Sequence, residues 1–114
     1  MSKRMFVGQG NVHELAKKLK IAFPNAGMSC TLVDEAHNEA NDTMLLVFEK
    51  YFMRVKNRVS LSILIYPFMD KVKVDLIGSG SGQGPFLKFS WGSEESIVDT
   101  AAQILFDLGF KQVT

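Results

Sequence analysis

The sequence has little cysteine, little proline and no long apolar run. The single cysteine, Cys30, excludes an internal disulfide framework and a cysteine-based structural zinc site. The longest apolar run, residues 44–48, has the length of a strand and is far shorter than the roughly 18 residues of a membrane helix. The first residues also lack the apolar stretch of a signal peptide. We therefore expect a cytoplasmic protein without a membrane span.

An excess of charge of one sign is missing as well. Lysine and arginine number 13, aspartate and glutamate 12, and the formal net charge is +1. This balance argues against general attraction to nucleic acid or to an anionic membrane. The 114 residues are 46% hydrophobic and 22% charged, which is typical of a folded chain rather than a disordered one. We expect one domain over residues 1–114.

Two helices are predicted, one towards each end of the chain. Asn11 is a preferred N-cap, and apolar residues at helical spacing continue to Phe23, just before Pro24. Ser93 is predicted to cap the second helix, because two glutamates follow it in what would be the first turn. Gly109 has the position of a C′ residue at the end of that helix.

Four strands are predicted between these helices, at residues 28–33, 43–55, 59–68 and 72–77, from the alternation of apolar and polar residues. The short connections indicate hairpins and hence an antiparallel meander. The predicted fold is therefore α+β, in the order α-β-β-β-β-α, with both helices packed on one face of a four-stranded sheet. Residues 86–91 are interpreted as a short fifth strand or as an irregular arm.

The register of the sheet predicts which residues the helices leave uncovered. We expect the odd-numbered positions of the second and third strands to lie on the same face, towards the helices. This register requires a three-residue loop between the two strands, at positions 56–58. The even-numbered positions then form a helix-free face with a large apolar patch. The residues expected in this patch are Leu46, Phe48, Phe52, Leu64, Tyr66 and Phe68. We expect a second copy of the chain to cover it as a homodimer, with residues 86–91 or the N-terminal tail as the alternative cover.

A glycine-rich segment follows the last predicted strand, with glycines at Gly78, Gly80, Gly82 and Gly84. Backbone amides in such loops can hold phosphate, so a small-molecule or phosphate ligand is one alternative function. The dinucleotide fingerprint requires a helix directly after the glycines, and Pro85 interrupts that pattern. We expect a flexible connection, and no cofactor.

No catalytic or metal-binding set is predicted from the spacing of the reactive residues. His13 falls in a helical turn, and His37 falls in a polar loop where nearby acids are expected to be solvated. The alternating pattern around Cys30 indicates a buried thiol rather than a nucleophile.

Lys50, Phe52 and Arg54 offer a further alternative, a nucleic-acid-binding surface of basic and aromatic residues. The balanced net charge argues against it.

The segment from Gly78 to Glu95, together with the helix around Asn11 to Phe23, resembles a family of short, cytoplasmic bacterial proteins of unknown function. The resemblance implies a stand-alone domain and supplies no catalytic residue. The expected function is a non-enzymatic binding or assembly module that self-associates through its helix-free face. Binding of a different protein to this face, in place of a second copy, is an alternative.

Overall fold

A computed structural model describes residues 2–26, 30–52, 57–80 and 87–114, with backbone alone at positions 2, 52, 57 and 87–95. Its elements in chain order are β1 (Ser2–Gly8), α1 (Val12–Ala22), β2 (Thr31–Asn38), β3 (Thr43–Phe52), β4 (Asn57–Phe68), β5 (Lys71–Gly80), α2 (Leu87–Asp107) and β6 (Lys111–Gln112). Neither described helix combines the length and the apolarity needed to cross a bilayer.

The strands form one antiparallel sheet in the order β2-β3-β4-β5-β1-β6. The α+β class and the antiparallel meander, β2 to β5, are confirmed. The predicted strand number of four is wrong, because β1 and the short β6 extend the sheet beyond β5. Neither added strand pairs with a strand next to it in the sequence, because β1 pairs with β5 and β6 pairs with β1. Hairpin signals in the sequence therefore could not reveal them.

The first helix begins as predicted. The Asn11 side chain accepts hydrogen bonds from the backbone N–H groups of His13 and Glu14, at 2.9 and 3.2 Å. These bonds satisfy amides that have no partner inside the helix. The helix ends at Ala22, next to Phe23.

The second helix begins earlier than predicted, at Leu87. The prediction of Ser93 as its N-cap is wrong, and residues 87–91 are neither a strand nor an irregular arm. Glycine and serine inside a helix cost only about 1 kcal/mol or less each, so a local cap signal does not stop a helix that packing favours. The other end is as predicted: Gly109 has φ +90°, and Phe110 N–H donates to the Leu105 carbonyl at 2.9 Å, which is the bonding of a Schellman motif.

The predicted register between β3 and β4 is wrong. Phe48 lies opposite Leu61 and Lys50 opposite Val59, so even positions of β3 share a face with odd positions of β4. The connection is even in length, residues 53–56, which lie outside the described residues, and Arg58 belongs to β4. Phe48 is fully buried, and its ring centroid is 4.8 Å from that of Phe23 beside α1. The free energy gained by burying Phe48 exceeds the cost of placing Lys50 on the same face near the end of β3. A long aliphatic side chain there can keep its charged group in water.

This register defines an inner face of the sheet, whose residues are almost fully buried: Phe6, Met44, Leu46, Phe48, Val59, Leu61, Ile63, Ile65, Val72, Val74 and Leu76. Buried residues of both helices belong to the same hydrophobic core as this face. Phe23 contacts Phe48, and the Phe106 ring of α2 lies 5.2 Å from that of Phe6. Arg4 adds an ion pair between β1 and α2, with its guanidinium 2.9 Å from the Asp99 carboxylate.

Candidate functional site

The outer face of the sheet, opposite the inner face, is the first candidate. By register its central row runs across four strands, from Leu45 through Leu64 and Asp75 to Met5. The apolar side chains of this face are half-buried rather than covered, and they are Met5, Val7, Leu45, Val47, Leu64, Tyr66 and Ile77. Phe68, at the end of β4, is 41% exposed. Tyr51, near the other end of this face, is 50% exposed. The face is therefore rich in apolar side chains along its middle rows and exposed at both ends.

The observed register places part of the predicted interface on the inner face instead of the outer face. Leu46 and Phe48 are core residues on the inner face, each 0% exposed, and their placement on a helix-free face was wrong. Leu64, Tyr66 and Phe68 lie on the outer face by their pairing with β5. The side chain of Phe52 is outside the described part of the structure. Sequence reasoning missed Leu45 and Val47, because it assigned their odd positions to the core.

Asp75 stands at the centre of the outer face and is 9% exposed. The Tyr66 hydroxyl donates to its Oδ2 atom at 3.1 Å. Its Oδ1 atom is buried, and among the described residues no hydrogen-bond donor reaches it. A buried acceptor left without a donor costs about 1–3 kcal/mol. The burial of this carboxylate was not predicted, because an acid on the polar face of the last predicted strand is expected to be solvated.

Charges are distributed unevenly across the outer face. The side chains of Asp34 and Glu49 lie on it from β2 and β3. Four lysines lie on it from the other half of the sheet, at Lys3, Lys71, Lys73 and Lys111. Glu49 is already paired with Arg58 at 3.1 Å. Asp34 is exposed and therefore remains the acid most accessible to a partner's lysine.

An aromatic pair surrounds one of these lysines. The Lys73 ammonium lies 5.7 Å from the ring centroid of Tyr66 and 5.6 Å from that of Phe68. Both distances fall within the range of cation–π attraction. Lys73 is therefore held over the aromatic end of the outer face rather than extended into water.

Two glycines of the predicted glycine-rich ligand loop lie in a strand. Gly78 and Gly80 are residues of β5, opposite Leu61 and Val59. For these two glycines the expected flexible connection is wrong, and so is the alternative of an anion-binding loop, because the backbone there belongs to the β4–β5 ladder. Gly82 and Gly84 lie outside the described residues.

The basic and aromatic surface predicted for nucleic acid is not assembled as expected. Lys50 pairs with Val59 on the side of the inner face, not on the outer face. Arg54 and the Phe52 side chain lie outside the described part of the chain.

A second candidate joins the two histidines, which sequence reasoning kept apart. His37 belongs to β2 rather than to a loop, and its ring centroid is 4.5 Å from that of His13, at the start of α1. The rings are nearly perpendicular, at 80°. The Oδ1 atom of Asp42 is 3.2 Å from the Nε2 atom of each ring. Glu35, one of the acids expected to be solvated, pairs with Lys20 at 3.0 Å.

The hairpin between β2 and β3 could have revealed half of this cluster. Asn38 pairs with Thr43, so His37 and Asp42 flank one tight turn. No sequence signal placed His13 beside them, because α1 meets β2 only through the tertiary fold.

Cys30 is half-buried. Burial raises the pKa of its thiol, and the positive charge of Lys50 offsets only part of that effect. The thiol is therefore protonated at neutral pH, which disfavours a role as a nucleophile.

Comparison with known proteins identifies a family but no activity. No curated protein and no solved structure matches the chain. The model of DUF6054, a family of unknown function, matches residues 1–109. This agrees with the resemblance read from Gly78 to Glu95 and from the first helix. The chain thus belongs to the DUF6054 family of unknown function.

Proposed function

We propose that the protein is a non-enzymatic assembly module that forms a homodimer through the outer face of its sheet. In this proposal the two helices cover the inner face, and a second copy covers the other. The observation that carries the proposal is the central row of the outer face, where Leu64 and Met5 flank the buried carboxylate of Asp75 and Leu45 continues the row beside Leu64. An apolar sheet face of this kind usually marks a contact.

The charge distribution favours one arrangement of the two copies. A twofold axis parallel to β4 would place the β2–β3 half of one sheet over the β5–β1 half of its partner. Residues of the same row then meet, so Asp34 of each copy opposes the partner's Lys3, because both pair in the row of Val47, Ser62 and Ile77. An axis perpendicular to the strands would instead set lysines against lysines, which is unfavourable.

The area of the outer face limits the size of the proposed interface. Five strands about 4.8 Å apart are about 24 Å wide, and seven residues at about 3.4 Å each are also about 24 Å long, so the face offers about 600 Å² per copy. A standard interface buries about 800 Å² per partner. Because the face is smaller than a standard interface, we expect a reversible dimer rather than a permanent one.

Sedimentation velocity at a series of protein concentrations tests the proposal. Wild-type protein should shift from monomer to dimer as concentration rises. Leu64→Asp should remain monomeric with unchanged circular dichroism, because it removes apolar area and puts a second carboxylate directly opposite Asp75 at the centre of the contact. Ile21→Asp is the matched control: Ile21 is 67% exposed on α1, and its substitution should leave the dimer intact. Wild-type protein that stays monomeric at high concentration would refute the dimer.

A further inference from the structure

Three ligand-type side chains from three parts of the fold meet at one end of α1. His13 comes from the first turn of the helix, His37 from β2 and Asp42 from the turn that follows. Their ligand atoms all lie within 4.8 Å of one another. Side-chain exposures are 55%, 25% and 43%, so the cluster is accessible to an ion from solution.

The two histidine–aspartate distances fit a shared metal ion. With metal–ligand bonds of about 2.1 Å and tetrahedral angles, neighbouring ligand atoms around zinc are about 3.3–3.4 Å apart. The Nε2 atom of each histidine is 3.2 Å from the Asp42 Oδ1 atom. Nearly perpendicular rings allow two imidazole lone pairs to converge on one point without a clash between the rings.

We propose that His13, His37 and Asp42 form a binding site for a divalent transition-metal ion of the zinc class. Two imidazoles and one carboxylate supply three ligands, and water fills the fourth position, which faces solvent. This ligand set favours zinc, nickel or cobalt over magnesium and calcium, which prefer oxygen alone.

Without a metal ion, both histidines must donate from Nε2 to the same carboxylate oxygen, whose two lone pairs allow this. One metal ion would replace both of these protons with bonds to the same three side chains. The two arrangements therefore differ in one observable, the stoichiometric uptake of an ion. Asp42 has φ +50°, in the left-handed region where glycine, asparagine and aspartate are most often found.

Zinc titration of tag-free protein tests the site. The chain has only two histidines, so any histidine-dependent binding reports on this cluster alone. A Cys30→Ser background removes the only thiol. Competition with a chromophoric zinc chelator should give one zinc per chain, and both imidazoles should shift together in nitrogen-15 NMR spectra. Millimolar magnesium should not compete.

Matched variants separate the ligands from the turn that carries them. Asp42→Asn keeps a residue that tolerates positive φ, and it should weaken zinc binding at least about tenfold. Glu39→Gln removes an acid from the same turn and should bind zinc like wild type. His13→Ala and His37→Ala should each weaken binding at least as much as Asp42→Asn. The proposal fails if zinc does not bind, or if Asp42→Asn and Glu39→Gln bind it equally.

Discussion

The register of β3 makes a sharp prediction about two aspartate substitutions, one on each face of the sheet. Phe48 is 0% exposed on the inner face, and its ring contacts Phe23. Removing a buried phenylalanine side chain costs about 3–5 kcal/mol. An unpaired carboxylate in its place adds several kcal/mol. Because a domain of this size is stable by only about 5–15 kcal/mol, Phe48→Asp should be largely unfolded.

Leu64→Asp is the matched substitution on the outer face. Leu64 is half-buried, so the lost burial should cost a fraction of the roughly 1.5–3 kcal/mol for full leucine burial. Repulsion from Asp75, directly opposite on β5, adds to this loss, and the total should stay below that of Phe48→Asp. Urea unfolding followed by circular dichroism measures both variants under the same conditions. A folded Phe48→Asp protein with a wild-type urea midpoint would refute the register, because the alternative pairing places both residues on a helix-free face.

Two further predictions concern the C-terminal packing and the thiol. A Cβ atom at Gly8 would lie 2.5 Å from the Phe110 ring, so Gly8→Ala should lower the free energy of unfolding by about 1–3 kcal/mol in urea; a wild-type midpoint would show that Phe110 does not pack there. Burial raises the folded-state pKa of Cys30, so the neutral thiol stabilises the fold below the unfolded-state pKa of about 8.5, and this contribution is lost as pH rises through the higher folded-state value. Wild type should therefore lose more stability than Cys30→Ser between neutral and alkaline pH, and parallel curves would contradict the burial.

Local signals predicted the parts of the fold that depend on a few neighbouring residues. Asn11 determined the start of α1, and Gly109 the end of α2, because each acts through hydrogen bonds within a single turn. The meander followed from alternation within each strand. Parity between β3 and β4 could not be settled in this way, since both odd and even positions of β3 carry large apolar residues. The core contacts of Phe48 decide between them.

The candidate sites depend on longer-range contacts and were harder to predict. Predicting the residues of the outer face required the correct register between β3 and β4. Of the predicted interface residues, only Leu64, Tyr66 and Phe68 were therefore placed on it correctly. Asp75 became notable through its burial next to Met5 of β1, a strand that alternation did not reveal. The histidine cluster required α1 to meet β2, which no spacing in the sequence indicates.

Sedimentation velocity with a pair of charge reversals tests the proposed dimer most directly. Asp34→Lys and Lys3→Asp should each weaken association, because each sets like charges opposite one another in both halves of a symmetric interface. The double variant should recover association towards the wild-type level, since the opposed pair is restored with its signs exchanged. Wild-type protein that is monomeric across the concentration range, or a double variant no better than either single one, would contradict the proposed arrangement.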